Sequence, residues 1–372
     1  MAVPVARRNL FQSRARLIIS VGGIALAALL VLVLDGVFAG SEKDVTVFMD
    51  NTPFDLVVSQ RGVRNLHMTT SFFPEQALRS IEQVSGVERV DPILFTTTFL
   101  IAGDLPTQRG LAYLIGYEPG RLGGPWAWAG RPVELGPDEI VIDIRAAEDF
   151  GVSVGDEITA AGRDLRIAGL AEGTTSIVNS ISFVTFEGFQ RAQGVSGTVS
   201  FALVLLRRDE NPAAVADRIQ AAVDGVTVQT RADFAESERR IVSDMSIDIM
   251  RLMNIIAFLI GLSVTGLTVY VATLAKVREY GLMKAIGARN SRLFRLVIGQ
   301  AAMSLGLGLS LAVAVALVLQ VALGAAAARI PMVVEPESIA RIIAGATVIG
   351  LLGAVIPVAR VAGLKPADVF RR

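Results

Sequence analysis

Arg278, Glu279 and Lys284 are the charged side chains of a short stretch, VREYGLMKAIGA (277–288), lying between two long apolar runs. Charges of both signs on so short a segment can pair with lipid headgroups or with a protein partner. They do not form a catalytic constellation. The chain has no cysteine, which excludes disulfides, thiolate nucleophiles and Cys-ligated metals. Its one histidine, His67, is too few for a His-based metal site or proton relay, and no metal ligands are assigned. No G-x-x-x-x-G-K-[ST] occurs, nor any Gly-Lys pair, so the chain cannot itself supply a P-loop for ATP. Asp35 is the one ionisable residue inside the apolar runs. An intramembrane charge is a functional candidate by default, but its position near the outer end of the first run reads better as a wetted helix end.

The elements that must position these residues follow from hydropathy. The 372 residues are 52% hydrophobic with balanced formal charge, and the mean hydropathy is +0.55. Those values fit a mixed membrane and soluble architecture, and the zero net charge argues against nucleic acid as a partner. Apolar runs at 17–34, 252–275, 296–328 and 342–359 are each long enough for a spanning helix. The third exceeds one perpendicular span and is expected to tilt or project. Arg and Lys cluster before the first run, between the second and third, and after the fourth, which puts both termini and the 277–288 stretch in the cytoplasm. The first run is longer than a typical signal core, and Asp35 and Phe38 make a poor cleavage site, so it reads as a retained signal-anchor.

The expected fold is an α-helical membrane protein with four transmembrane helices plus an extracytoplasmic mixed α/β domain inserted between helices one and two. Its parts are a cytoplasmic amphipathic N-terminal helix at 1–16, spans at 17–40, 251–275, 291–325 and 339–362, the outer domain at 41–250, a cytoplasmic helix at 276–290 and a tail at 363–372. Within the outer domain, residues 54–60, 111–117, 139–143, 182–186 and 201–206 read as strands. Residues 155–171 read as a hairpin around Ala161-Gly162-Arg163-Asp164. PEQALRSIEQVSGVERV (74–90) and PAAVADRIQAAVDGVTV (212–228) share a layout: Pro, Ile seven residues on, then Gly-Val entering a strand. This predicts two helix-to-strand modules flanking a β-rich insert. Trp126 and Trp128 in GGPWAWAGR are either packed loop anchors or a surface on which a ligand stacks.

In the 277–288 stretch, Val277, Tyr280, Met283 and Ile286 recur every three residues, widened by Leu282 and Ala285, with Arg278, Glu279 and Lys284 opposite. That predicts a short amphipathic helix, stopped at Gly287. It is either a basic interfacial helix on lipid or a docking element for a cytoplasmic partner. The third run carries two four-residue ladders of small side chains on opposite faces. One is Ala302, Gly306, Ser310 and Ala314; the other is Ser304, Gly308, Ala312 and Ala316. Such ladders let membrane helices approach closely, so packing on both sides is expected, though an Ala- and Gly-rich run also makes them by chance.

The pattern Arg278-Glu279-x-Gly281-x-x-Lys284-Ala285-x-Gly287-Ala288 resembles the signature of FtsX/MacB-type ABC transporter permeases. Residues 6–27, 130–170 and 364–372 are similar to the family's opening helix, outer domain and tail. Gln300 departs from it where many relatives carry Glu. The resemblance implies a permease in the bacterial cytoplasmic (inner) membrane, not itself an enzyme. In such a permease Arg278, Glu279, Gly281, Lys284, Ala285, Gly287 and Ala288 touch a separate ABC ATPase subunit. ATP and Mg would bind that subunit and not this chain. It further implies a homodimer or a pair with a paralogous permease, and a periplasmic adaptor, outer-membrane channel or other extracytoplasmic partner. Work would then be done by moving the outer domain, for export of a hydrophobic or amphipathic substrate. The alternative is a regulatory protein that activates an extracytoplasmic hydrolase and transports nothing.

Overall fold

The computed structural model describes residues 14–67, 69–103, 108–130, 132–174, 180–274, 277–286, 289–325 and 331–362. The chain divides into two compact units. Ser41–Met245 form one, and the segments before and after it form the other.

The Ser41–Met245 unit is built on a nine-stranded sheet. In chain order its elements are the short helix α2 (Val47–Asn51), β1 (Leu56–Gln60), β2 (Phe73–Pro74), α3 (Gln76–Glu82), β3 (Val87–Ile101), β4 (Arg109–Tyr117) and β5 (Glu139–Asp143). Then follow α4 (Ile144–Phe150), β6 (Glu157–Ala160), β7 (Arg163–Ala171), β8 (Ser180–Thr185) and α5 (Phe186–Gln193). The unit continues with β9 (Thr198–Val199), β10 (Phe201–Leu206), α6 (Pro212–Ala222) and β11 (Val226–Thr230). The sheet order is β11-β1-β10-β3-β4-β8-β5-β7-β6, and Ile101 of β3 also pairs with Thr159 of β6. The sheet therefore curls back upon itself at its far end.

Four of these strands explain the repeated sequence layout. The order β11-β1-β10-β3 has antiparallel neighbours throughout. With α3 entering β3 and α6 entering β11, this is a split β-α-β arrangement of the ferredoxin-like kind. The two modules meet in one cluster, where Ile81 and Ile219 are fully buried beside Val87 and Val226. Gly86 and Gly225, at φ +99° and +80°, make the same left-handed turn between helix and strand. The β-rich insert, β4 to β8, lies between β3 and β10 in the chain and extends the same sheet.

Local chemistry sets the element ends. Asn211 caps α6 through its side chain, with Pro212 in the first turn, and Asp143 and Thr185 cap α4 and α5. The expected hairpin forms as β6 and β7, but Ala160 pairs with Arg163, so the two central turn residues are Ala161 and Gly162. Both have positive φ (53° and 76°), as a two-residue hairpin of matching twist requires. The turn thus sits one residue earlier than the expected four-residue centre.

The other unit is helical. It contains most of α1 (Arg14–Val45), the later part of α7 (Arg231–Leu274), α8 (Val277–Ala285), α9 (Asn290–Ala325) and α10 (Pro336–Ala362). Among the described residues, Val21–Val45 and Ser291–Gly324 are long and apolar enough to cross a membrane, with mean hydropathies of 2.4 and 2.3. The expected N-terminal helix at 1–16 and the tail at 363–372 fall almost wholly outside the described residues. One boundary differs in kind. The apolar run at 252–275 does not begin a helix of its own but continues α7, which starts directly after β11 at Arg231. The polar face of 231–251 concealed that continuity from a hydropathy reading.

Candidate coupling site

Within the stretch 277–288, Val277–Ala285 form a helix, α8, and Arg278, Glu279, Gly281, Lys284 and Ala285 lie on it. Gly287 and Ala288 lie outside the described residues. An aromatic side chain packs this helix against α9. Tyr280 is 2% exposed and packs with Leu293, Val297 and Ala301 of α9, with Met283 partly buried beside it. Burial, and secondarily the neighbouring Glu279 carboxylate, push the Tyr280 phenol above its ordinary range, so it sits there neutral.

The expected single apolar stripe is split in two. Tyr280 and Met283 face α9, whereas Leu282 (54% exposed) and Ile286 (78% exposed) point outward. Glu279, Leu282 and Ile286 fall at i, i+3 and i+7, a single helical face. The outward surface of α8 is therefore an acid followed by two large aliphatic groups, with Ala285 also exposed. Chemically, such a surface can place a carboxylate against a basic group and seat Leu and Ile in an apolar depression of a partner.

Three residues before α8 the chain leaves α7, a continuous helix of 44 residues, about 66 Å long at 1.5 Å per residue. Its first turns are fixed within the Ser41–Met245 unit. Phe234 (1% exposed) lies edge-on to Phe201, ring centroids 6.0 Å apart, in the main aromatic cluster of that unit. Glu238, fully buried, accepts the backbone N–H of Leu66. Its other oxygen lies 2.7 Å from His67 Nδ1, and His67 in turn stands edge-on to Tyr113. The lone histidine is thus a partner of the helix start. Sequence reading passed over Phe234 and Glu238. The available signal was a carboxylate on an apolar stripe, since Phe234, Ala235, Glu238 and Ile241 share one helical face.

The two ladders on α9 have separate fates. Ser304, Gly308, Ala312 and Ala316 are buried, and Ala302, Gly306, Ser310 and Ala314 are exposed. At Gly308 a Cβ would come within 2.7 Å of Ile24 Cγ2 and 3.2 Å of the Val21 carbonyl, so only glycine permits this approach of α9 to α1. Ala312 and Ala316 continue the contact with Ala25, Ala28 and Leu32 of α1. Among the described residues, packing on one side of α9 is realised; the second ladder lies open.

Asp35 is not a wetted helix end. It is 6% exposed, and its Oδ2 accepts from Arg341 Nη2 of α10 at 3.0 Å. Ser338 Oγ is 3.0 Å from the same guanidinium nitrogen. The backbone N–H of Val333 reaches the Gly36 carbonyl one residue away, and Met332 is buried against α1. Its partner is 306 residues distant in the chain, beyond any local pattern. The carboxylate is a tie between the first and last helices.

This geometry can be set beside known proteins. The model of the MacB-like periplasmic core domain matches residues 17–222, and that of the FtsX-like permease C-terminal region matches residues 251–366. The chain belongs to the FtsX/MacB-type ABC transporter permeases. An uncharacterized ABC transporter permease of Mycobacterium tuberculosis is 24% identical over 369 residues, covering 98% of each chain. A second one from the same species is 24% identical over 376 residues, again covering 98% of each. Among solved structures, the periplasmic region of MacB from Actinobacillus actinomycetemcomitans is similar at 10% identity, TM-score 0.35, over 51% of this chain and 94% of that one. The extracellular domain of the noncanonic ABC-type transporter YknZ from Gram-positive bacteria is similar at 14% identity, TM-score 0.35, over 47% and 98%. As a FtsX/MacB-type permease the chain is a membrane transport component, and the family implies an ATPase partner. Its α/β unit is the family's extracytoplasmic domain.

Proposed function

We propose that this permease couples ATP hydrolysis in a separate ATPase subunit to movement of its own outer domain, and so expels a hydrophobic or amphipathic substrate. ATP and Mg²⁺ bind that subunit. It docks on the outward face of α8, where Arg278, Glu279 and Lys284 supply the charge contacts and Leu282 and Ile286 the apolar ones. Gly281 and Ala285 on α8 keep that surface low enough for close approach, and Gly287 and Ala288 belong to the same contact. Four helices, α1, the later part of α7, α9 and α10, span the cytoplasmic membrane, with both termini and α8 in the cytoplasm. A second copy or a paralogue completes the pair that ABC ATPases require. The open ladder of Ala302, Gly306 and Ser310 is the surface offered to it, and an adaptor or other extracytoplasmic partner receives the substrate.

The observation that carries this reading is the continuity of α7. One helix has Phe234 and Glu238 buried in the outer domain and ends at Leu274, three residues from the start of α8. A helix unbroken over Arg231–Leu274 would pass displacement without a polar pathway through the spans.

The test is charge reversal at the docking face. Glu279→Lys should reduce co-purification of the ATPase about tenfold or more, as loss of a charge-assisted contact does, while the outer domain keeps its unfolding temperature. Full assembly and full ATP-dependent substrate release by that variant would exclude the docking role. If assembly and hydrolysis persist but no substrate ever moves in reconstituted vesicles, the export part of the proposal is wrong.

A further inference from the structure

The outer domain contains a cavity of about 470 Å³ that the coupling mechanism does not use. Its volume lies within the range of small-molecule sites, roughly 300–1,000 Å³. Three aromatic side chains line it: Tyr117, Trp126 and Trp128, together with Leu122 and Val133. The packing around these rings holds them in place. Trp126 stands edge-on to Phe48 and Phe183 at 6.3 and 6.0 Å. Trp128 bridges to Ala171 and lies over Gly169, where a Cβ would meet its ring at 3.0 Å. The expectation that the tryptophans are packed loop anchors is met, and the same packing holds part of each indole against the cavity.

The charges around the cavity are asymmetric. Arg121 is the cation of its lining, and its guanidinium is already occupied. Nη1 donates to the fully buried Asp91 carboxylate at 3.0 Å, and Nε lies 3.6 Å from Glu118. Asp91 also accepts the Leu122 N–H at 3.1 Å and pairs with Arg89, which fixes the whole 118–122 turn as a wall. Glu134 contributes a carboxylate to the lining. A preset aromatic enclosure with a carboxylate, and with its arginine neutralised, is the environment that attracts organic cations. Ring quadrupoles favour a positive charge over their faces, and quaternary ammonium groups are held in this way.

Leu122 and Val133 on the same wall offer apolar surface to the rest of the ligand. We infer that the Tyr117–Trp126–Trp128 cavity binds a lipophilic organic cation, with a quaternary or tertiary ammonium head among the aromatic rings and beside Glu134. Treating that ligand as cargo rests on the permease proposal; the binding itself does not.

Trp126 and Trp128 are the only tryptophans of the chain, so intrinsic tryptophan fluorescence reports on this cavity alone. The full chain, reconstituted into vesicles of uncharged or zwitterionic lipid, is titrated with dodecyltrimethylammonium and with its uncharged isostere, in which carbon replaces the nitrogen. A saturable fluorescence change is expected, about tenfold tighter for the cation. Glu134→Gln should weaken the cation several-fold and leave the isostere unchanged, a difference that altered packing cannot produce. Trp126→Phe and Trp128→Phe each retain a saturable signal from the remaining indole. Equal affinity for cation and isostere, or a change that rises without saturation, overturns the proposal. That comparison needs only the native chain, so poor folding of a variant leaves it decisive. ATPase docking by α8 is measured separately. Cation binding without any effect on nucleotide turnover in the assembled complex would keep the site and overturn its reading as cargo.

Discussion

In the proposed transmission, the start of α7 and the helix that follows it, α8, are packed by different kinds of chemistry. The outer end of α7 is set into a domain by an aromatic side chain in the core and a buried carboxylate with two polar contacts. At the other end, α8 packs through an apolar cluster around Tyr280 and turns Leu282 and Ile286 to the outside. A fully satisfied polar contact in a low-dielectric interior fixes one geometry and is costly to break. An apolar surface left open is a surface awaiting a partner. In the proposed mechanism the first attachment stays fixed, and a partner protein completes the second.

The sharpest way to break the outer end is Phe234→Ala. It removes a ring from the aromatic cluster and should cost roughly 3–5 kcal/mol of outer-domain stability. Chemical denaturation followed by tryptophan emission measures this, while ATPase docking on α8 stays intact. Glu238→Ala follows. It leaves the buried Leu66 N–H without its acceptor and His67 without its partner, and should cost about 2–3 kcal/mol in the same assay. An effect below about 0.5 kcal/mol would mean the carboxylate is not a fastening at all.

At the inner end the expected effects are smaller and of a different kind. Tyr280→Phe keeps the ring and removes only the hydroxyl, so the loss should be about 1 kcal/mol or less. Co-purification with the ATPase should stay near normal, and outer-domain unfolding should not move. If Tyr280→Phe abolished docking, the phenol itself would be the recognition group, and the contrast between the two ends would need revision.

Much of this organisation was legible in the chain, and the parts that were not share a cause. Strands β5 and β10 match their sequence patterns residue for residue, because β-branched and aromatic runs between turn residues have few alternatives. The paired Pro–Ile–Gly-Val layout foretold two matched modules, since equivalent packing positions impose equivalent residues. The buried ladder on α9 was visible as spacing, yet spacing cannot say which face meets α1. Long-range partners left no trace. Asp35 with Arg341 and Glu238 with His67 are joined by folding across hundreds of residues, and periodicity reports a face without its neighbour. The same limit explains the 277–288 stripe. Six apolar positions on a short helix looked like one surface, but Tyr280 and Leu282 are about 200° apart and serve different contacts.

The central claim of the proposal is that the continuous helix α7 carries movement between ATPase and outer domain. Its most direct test is a flexible insertion, four glycines placed between Arg240 and Ile241, just beyond the buried anchor at Glu238. Hydrolysis and ATP-dependent substrate release are then measured together in vesicles containing the assembled complex. The account predicts that ATPase assembly and hydrolysis persist while substrate release falls to background. Substrate release at the normal rate, with the helix interrupted, would contradict it.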